Sequence, residues 1–375
     1  MRKLFFLCAL CAVSNLFAWD YEHIKIDSLY YNLDEGNREA EVVRDQEGDD
    51  NYANLGDTLV IPDFVVYNEE TYTVKGVGGH AFGWCKSVKC FLLSNSITYI
   101  EINAFQNSEL DSIRLSSNLE RIAEFVFSEC RSLEFIVIPG SVAEICQGAF
   151  FSCDNLSSVT FNEGLRSIHD EVFTGCNLSS VDIPASVTYI SGSAFGYNPN
   201  LTAVNVSADN TAYMSEDGVV FNKEKTTIIL YPAGKQGEYS IPNSVTGIGD
   251  KAFENCKKLT SLVIPSGVES IGEYALGNCE NLHSITCKAS VPPACGWKVF
   301  DWLNMSIPLY VPAGSIADYQ AADQWKDFTN IQALPTTSFG DVQSDDVQCT
   351  KVLRDGQLLI EKNGKTYNAL GNYAK

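Results

Sequence analysis

Cysteines at a fixed distance behind an aromatic are the first residues whose type and spacing could do chemistry. In GAFFSCDNLSSVTF, residues 148–161, Cys153 follows Phe150 by three. The same step separates Phe82 from Cys85, Phe127 from Cys130, Phe173 from Cys176, Phe253 from Cys256 and Leu276 from Cys279. A metal site, a disulfide framework, a row of reactive thiols and a purely structural position all compete to explain it. A zinc site needs close pairs that converge on one ion. Here each cysteine stands alone in its segment, so a metal is not expected.

No other catalytic constellation stands out. His23, His80, His169 and His283 fall at unrelated positions, and His169 opens HDEVF, not His-Glu-x-x-His. No Gly-x-Ser-x-Gly elbow occurs, and GVGGHA (76–81) lacks the Lys-Ser/Thr of a phosphate loop. Among 47 acidic residues nothing singles out a pair for glycoside hydrolysis. The run DQEGDD at 45–50 lacks the full calcium-loop pattern and reads as a solvated loop. No catalytic, cofactor-binding or metal residue is therefore expected, and no cofactor.

The elements that would hold these cysteines repeat. Phe82, Phe105, Phe127, Phe150, Phe173, Phe195, Phe253, Leu276 and Phe300 follow one another at intervals of 23, 22, 23, 23, 22, 58, 23 and 24 residues. Each ring position is preceded by alanine or valine. A period of this size marks a solenoid, because one unit can bury its apolar side only against its neighbours. LSSVDIPASVTYISGSAFGYN (178–198) and LTSLVIPSGVESIGEYALGNC (259–279) share the frame L-x-x-Φ-x-Φ-P-x-x-V-x-x-I-x-x-x-A-F-x-x-C, where Φ is apolar. Leu178, Val181 and Ile183 then point inward from a short strand, and Val187 and Ile190 from a second segment. Pro184, without an N–H, suits the corner between them.

This frame resembles the bacterial leucine-rich repeats of the BspA-like, or treponemal, type over roughly residues 58 to 330. The resemblance implies a repeat solenoid, mainly β with short turns and 3-10 segments, in coils of about 23 residues between N- and C-terminal caps. Within such a stack, neighbouring cysteines lie roughly 4.8 Å apart, but their parallel side chains suit a disulfide torsion poorly. Ser108 and Asn198 also occupy the cysteine position. Neither can form a disulfide, while serine and asparagine, like a thiol, can hydrogen-bond a buried backbone. Cys85, Ser108, Cys130, Cys153, Cys176, Asn198, Cys256 and Cys279 are thus read as a structural turn ladder of free, buried thiols and their substitutes. Cys287 and Cys295, eight apart, stay open as a pair.

Five segments follow. Residues 1–18, MRKLFFLCALCAVSNLFA, read as a secretory signal cleaved after Ala18. Leu10 before Cys11 argues against lipidation. Residues 19–57 form an N-terminal cap, and 58–289 the solenoid, whose first coil is widened by a Tyr67–Tyr72 hairpin. A further hairpin insertion at about 199–240, which recurs in the resembled family, is a candidate contact site. Residues 290–333 are similar to that family's terminating unit, with Tyr319, Trp325 and Phe328 closing the last coil. Residues 334–375 are a linker and a hairpin around Asn363-Gly364, similar to modules with a sorting or attachment role; a plain appended hairpin is the alternative.

The formal charge of −21, or −23 without Arg2 and Lys3, repels phosphate backbones and offers no basic stripe. Neither nucleic acid nor an anionic membrane surface is expected as a partner, and no stretch is long enough for a membrane span. Function must then come from surface. The outward strand positions include Ser112, Arg114, Phe135, Val137, Ser158, Thr160, Ser180 and Asp182. They form a candidate protein-contact face, flat and mostly hydroxylated, with an apolar spot at Phe135 and Val137; simple solvation is the plainer reading. The resemblance implies an exported, non-enzymatic, adhesin-like binding protein for host matrix or bacterial surface proteins. A secreted glycan-active enzyme or glycan-binding accessory, or a passive surface scaffold, is the alternative.

Overall fold

A computed structural model describes residues 19–45, Tyr52, residues 55–335, and the backbone of three strands between 350 and 368. The expected signal sequence, most of the acidic loop at 45–57 and the linker at 336–349 lie outside the described residues. The chain divides into two compact units, residues 1–334 and 335–375.

The larger unit is a β-solenoid, as its sequence period requires. One side of each coil is a strand such as Phe135–Ile138, paired in parallel with Ser158–Phe161 of the next coil at Phe135↔Ser158 and Val137↔Thr160. Ile136 and Ile138 are buried, while Phe135 and Val137 are 53% and 49% exposed, the two-residue alternation of a half-buried strand. After the proline corner comes a two-residue strand. Arg121–Ile122, Glu144–Ile145, Ser167–Ile168 and Tyr189–Ile190 stack as a second parallel sheet with the isoleucines inward. The third side is the turn carrying the ring. Phe82, Phe105, Phe127, Phe150, Phe173 and Phe195 stack with successive centroids 5.1 to 5.4 Å apart and planes within 18°.

The 58-residue interval read as one inserted hairpin contains an additional coil. Tyr231 takes the ring position: its N–H donates to Ala252 O at 2.8 Å and its ring lies 5.0 Å from Phe253. The interval is thus an expanded coil of 36 residues from Phe195 to Tyr231, then an ordinary one of 22 to Phe253. Tyrosine in place of phenylalanine, after Leu230 in place of alanine or valine, hid it. The extra residues form the antiparallel strands Tyr213–Glu216 and Val219–Asn222. The next strand, Thr227–Leu230, turns back antiparallel and then starts a further parallel ladder beside Gly247–Ile248, in a sheet separate from the second one. Val219, Val220, Phe221, Ile228 and Leu230 are buried. The insertion is wall, not a projecting arm.

Both ends of this unit are covered. Strands Tyr21–Ile26, Leu29–Asp34 and Glu39–Val43 form an antiparallel meander, and the last pairs in parallel with Glu70–Val77. Glu70–Val77 also forms the first-coil hairpin with Phe64–Tyr67, turning through Asn68 and Glu69 at φ 50° and 67°. At the other end Trp325 is fully buried, its indole N–H donating to Pro293 O at 2.8 Å, edge-on to Phe300 and Tyr319. The smaller unit has three antiparallel strands, Thr350–Arg354, Gln357–Lys362 and Lys365–Asn368.

Glu41 is an anomaly of the N-terminal end. It is 5% exposed and lies opposite Gly76, which lies opposite Tyr99 on the next strand. A Cβ on Gly76 would collide with the Tyr99 ring, so this glycine lets the tyrosine reach across towards the carboxyl. Burial, aided by the nearby Glu101 charge, pushes Glu41 up to about 8, against hydrogen bonds from Tyr99 and Asn32.

Two stability measurements test these features. Phe150→Ala should cost roughly 3–5 kcal/mol in guanidinium unfolding, whereas exposed Phe135→Ala should change stability by no more than about 0.5 kcal/mol. Glu41 holds its proton more tightly folded than unfolded. Its contribution is therefore fully present below the ordinary carboxyl range and is lost as pH rises toward about 8. Glu41→Gln should flatten the fall in Tm over that window; an unchanged pH profile would contradict the assignment.

Candidate functional site

The cysteine positions resolve into a hydrogen-bonded ladder. Cys130 donates its thiol to Phe105 O at 3.1 Å, Cys153 to Phe127 O at 3.0 Å and Cys176 to Phe150 O at 3.3 Å. Cys256 reaches Tyr231 O at 3.6 Å and Cys279 reaches Phe253 O at 3.1 Å. Asn198 does the same with its amide, Nδ2 to Phe173 O at 2.7 Å. Each donor satisfies the carbonyl of the ring residue one coil back, which explains why cysteine and asparagine alternate there. The first rungs differ: Cys85 Sγ lies 3.8 Å from Ser87 Oγ, and Ser108 Oγ lies 3.4 Å from Cys130 Sγ.

Burial favours the protonated form of four of these thiols. It pushes Cys130 and Cys279 up to about 12 and Cys153 and Cys256 well above the usual thiol range. A protonated thiol is neither nucleophile nor metal ligand. All ten cysteines among the described residues are free, including Cys287 and Cys295. Cys287 Sγ accepts from Tyr319 OH at 3.1 Å, while the Cys295 thiol faces Pro293 O at 3.8 Å.

One polar cluster has the residue types of a hydrolase. His169 Nε2 lies 2.7 Å from Glu144 Oε1, and Cys146 Sγ lies 3.0 Å from Arg121 Nη2. Burial nevertheless pushes the Cys146 thiol up to about 12, outweighing the guanidinium. It offers no activated nucleophile. Among the described residues no group of three or more His, Cys, Asp or Glu could hold a metal ion, and no helix is long and apolar enough to cross a membrane.

The outward strand face is the larger candidate. Ser112 and Arg114 share one strand, and Phe135 and Val137 sit beside Ser158 and Thr160. Ser180 and Asp182 sit beside Ala203 and Asn205, whose Nδ2 donates to Asp182 Oδ1 at 2.9 Å. The structure adds two coils that the sequence reading left out of this face, Thr58–Ile61 and Cys90–Leu93, in the row Val60↔Leu92↔Arg114. The alternation in TLVI and CFLL carried that signal.

The face is not uniformly flat. Ser112–Arg114 belongs to a sheet with those two strands, whereas Phe135–Ile138 pairs only with Ser158–Phe161. Where the two sheets part, a groove of about 710 Å³ opens, lined by Val60, Pro62, Ile113, Arg114, Phe135 and Val137 among others. Val60, at 56% exposure, joins Phe135 and Val137 as an apolar lip. Further along, the outward residues are hydroxyls and amides, as at Ser261 and Ser284, whose oxygens lie 3.1 Å apart.

The ladder predicts its own reactivity. Under native conditions a maleimide should leave Cys130, Cys153 and Cys176 unlabelled, and in guanidinium it should label all three. Rapid native labelling of any one would refute the buried-donor assignment.

The chain matches the BspA type leucine rich repeat region, in six copies, over residues 75–202, 122–225 and 230–297, more than half its length. Among curated proteins, none matches it in sequence. Two solved structures are similar in fold. The pneumococcal vaccine antigen PcpA is 21% identical with a TM-score of 0.61, covering 83% of this chain and 98% of that one. A leucine rich cell surface protein from Faecalibacterium prausnitzii is 20% identical with a TM-score of 0.53, covering 84% and 95%. Repeat frame, stacked coils and family match agree: the chain belongs to the BspA-type leucine-rich repeat family.

Proposed function

We propose that this protein is an exported, non-enzymatic binding protein, adhesin-like, which presents its outward strand face to a protein on a host matrix or a bacterial surface. One observation carries the reading. Phe135, Val137 and Val60, all about half exposed, line one groove of about 710 Å³ on the outward strand face. An exposed apolar cluster around one aromatic at a concavity marks a candidate interface, and a rigid parallel sheet holds it at low ordering cost on binding.

Export rests on the signal-like residues 1–18, and a surface location on the fold shared with a protein described as a cell surface protein. The C-terminal unit is assigned to attachment on the same footing. The neutral thiols and the lack of any metal-binding group among the described residues leave surface recognition as the better-supported activity.

The test is a pull-down with the mature chain against extracellular-matrix and bacterial-surface extracts, followed by surface plasmon resonance on the captured protein. The expected result is saturable binding that falls roughly tenfold or more in Phe135→Ala/Val137→Ser, with Tm unchanged. Undiminished binding by that variant sinks the proposed face, and hydrolysis of any polysaccharide by the purified chain sinks the non-enzymatic reading.

A further inference from the structure

A second site lies on the turn edge, away from the outward strand face, and the expanded coil creates it. In the regular coils the residue two after the ring is left-handed, and Asn107, Gly175, Asn255 and Asn278 fill that position with types that tolerate it. Trp84 (φ 60°) fills it with an aromatic near the N-terminal end, and Tyr197 (φ 51°) and Trp302 (φ 59°) do so here. Tyr274 (φ 51°) does so at the companion position before the alanine. Bulky side chains are uncommon in this region and cluster where their placement has a use.

The rings of Tyr197, Tyr274 and Trp302 line one recess. The expanded coil turns inward early, its Gly234 N–H donating to Leu201 O at 2.8 Å, and it adds no left-handed residue to the edge beside Tyr231. The coils on either side therefore meet across it. A Cβ on Gly196 would lie 3.9 Å from Asn255 Nδ2, and Asn278 Nδ2 donates to Tyr197 OH at 3.1 Å across 81 residues. The result is a recess of about 310 Å³ walled by Tyr197, Tyr274, Trp302, Asn255, Asn278 and Glu254, with Asp301 at its edge. Trp302 is 82% exposed at its lip.

The polar groups inside are incompletely used. Asn255 is only 6% exposed. Its Oδ1 accepts from Asn278 at 2.7 Å, but its Nδ2 donates to no atom of the described residues. The Glu254 carboxyl likewise accepts no hydrogen bond there. Neither Asn255 Nδ2 nor the Glu254 carboxyl is sealed from solvent, so each is open to a guest's hydroxyls in place of water. The charges narrow the guest. Lys257 Nζ lies over the Tyr197 ring at 5.8 Å and Lys298 Nζ over Tyr274 at 5.9 Å, so two of the rings already carry a cation. Asp301 is already paired with Lys298 Nζ at 3.5 Å, and the Glu254 carboxyl in the wall disfavours an anion. What remains is a neutral molecule with an apolar face for the rings and hydroxyls that both donate and accept, which is the chemistry of an uncharged sugar.

We propose that this recess binds a neutral oligosaccharide, with Trp302 and Tyr197 packing on sugar faces, Asn255 Nδ2 donating to a ring substituent oxygen and Glu254 accepting from a hydroxyl. The site is independent of the protein-binding face. The mature chain would be titrated with maltohexaose, cellohexaose, xylohexaose, mannohexaose and chitohexaose, read by calorimetry and tryptophan emission. Choline chloride and a sulfated heparin hexasaccharide serve as charged probes. At least one neutral sugar should bind saturably. Trp302→Ala and Tyr197→Ala should each weaken it roughly tenfold or more with unchanged Tm. Trp84→Ala, an exposed aromatic at the same turn position of another coil, and Phe135→Ala should leave it intact. Silence from all five sugars, indifference to Trp302→Ala, or preferential binding of choline or the sulfated sugar would each overturn the proposal.

Discussion

A single backbone hydrogen bond recurs through the solenoid: the N–H of the ring residue donates to the carbonyl of the small residue before the ring one coil on. It runs from Phe82 to Ala104, Phe105 to Val126, Phe127 to Ala149, Phe150 to Val172, Phe173 to Ala194, Tyr231 to Ala252, Phe253 to Ala275 and Leu276 to Val299, at 2.7 to 2.9 Å. Because that bond admits one rise per coil, it sets the strand register on one side, the ring spacing on another and the cysteine positions beyond them. Rings held so close can only stack or clash, and offset stacking is the favourable arrangement. The residue before the ring is alanine or valine in the regular coils, and Leu230 takes that place only in the coil closed by Tyr231.

The thiol ladder follows from the same constraint. A carbonyl drawn into the turn at each ring residue already accepts one intracoil N–H, as Phe127 O does from Cys130 N at 3.1 Å. Its second lone pair is buried and needs a donor. A thiol at hydrogen-bonding distance from the next coil supplies a weak one without demanding full hydration, and Asn198 supplies a stronger one, reaching Phe173 O and Phe195 O together. Chemistry suggested by a row of cysteines is thereby spent on packing. The burial that makes the position work also raises the thiols of Cys130, Cys153, Cys256 and Cys279, so packing and low reactivity share one cause there.

Both proposed sites lie where the regular stack is interrupted. The strand sheet parts between Ser112–Arg114 and Phe135–Ile138, and an apolar groove appears there. The turn edge is interrupted by the inward-drawn Tyr231 coil, and an aromatic recess appears there. An unbroken solenoid has no concavity deeper than its side chains; a local loss of register creates one at little cost to neighbouring coils, whose contacts are only with each other.

The amino-acid sequence by itself determined the coil: period, inward and outward positions, proline corners, ring stack and the interchangeability of Cys153 with Ser108 or Asn198 are all short-range and repeat often enough to average out exceptions. It also made the outward direction of Phe135 and Val137 legible, since strand alternation is a local property. It could not disclose the coil closed by Tyr231, where a single unit departs from the frame at two positions at once. Nor could it show that Val60 and Phe135, or Tyr197 and Asn278, share a surface. Those pairs are separated by 75 and 81 residues, and their meeting depends on which hydrogen-bond ladders break and which coil retracts. That is decided by the sum of packing across several coils, a quantity that no single repeat contains, and only the tertiary structure settles it.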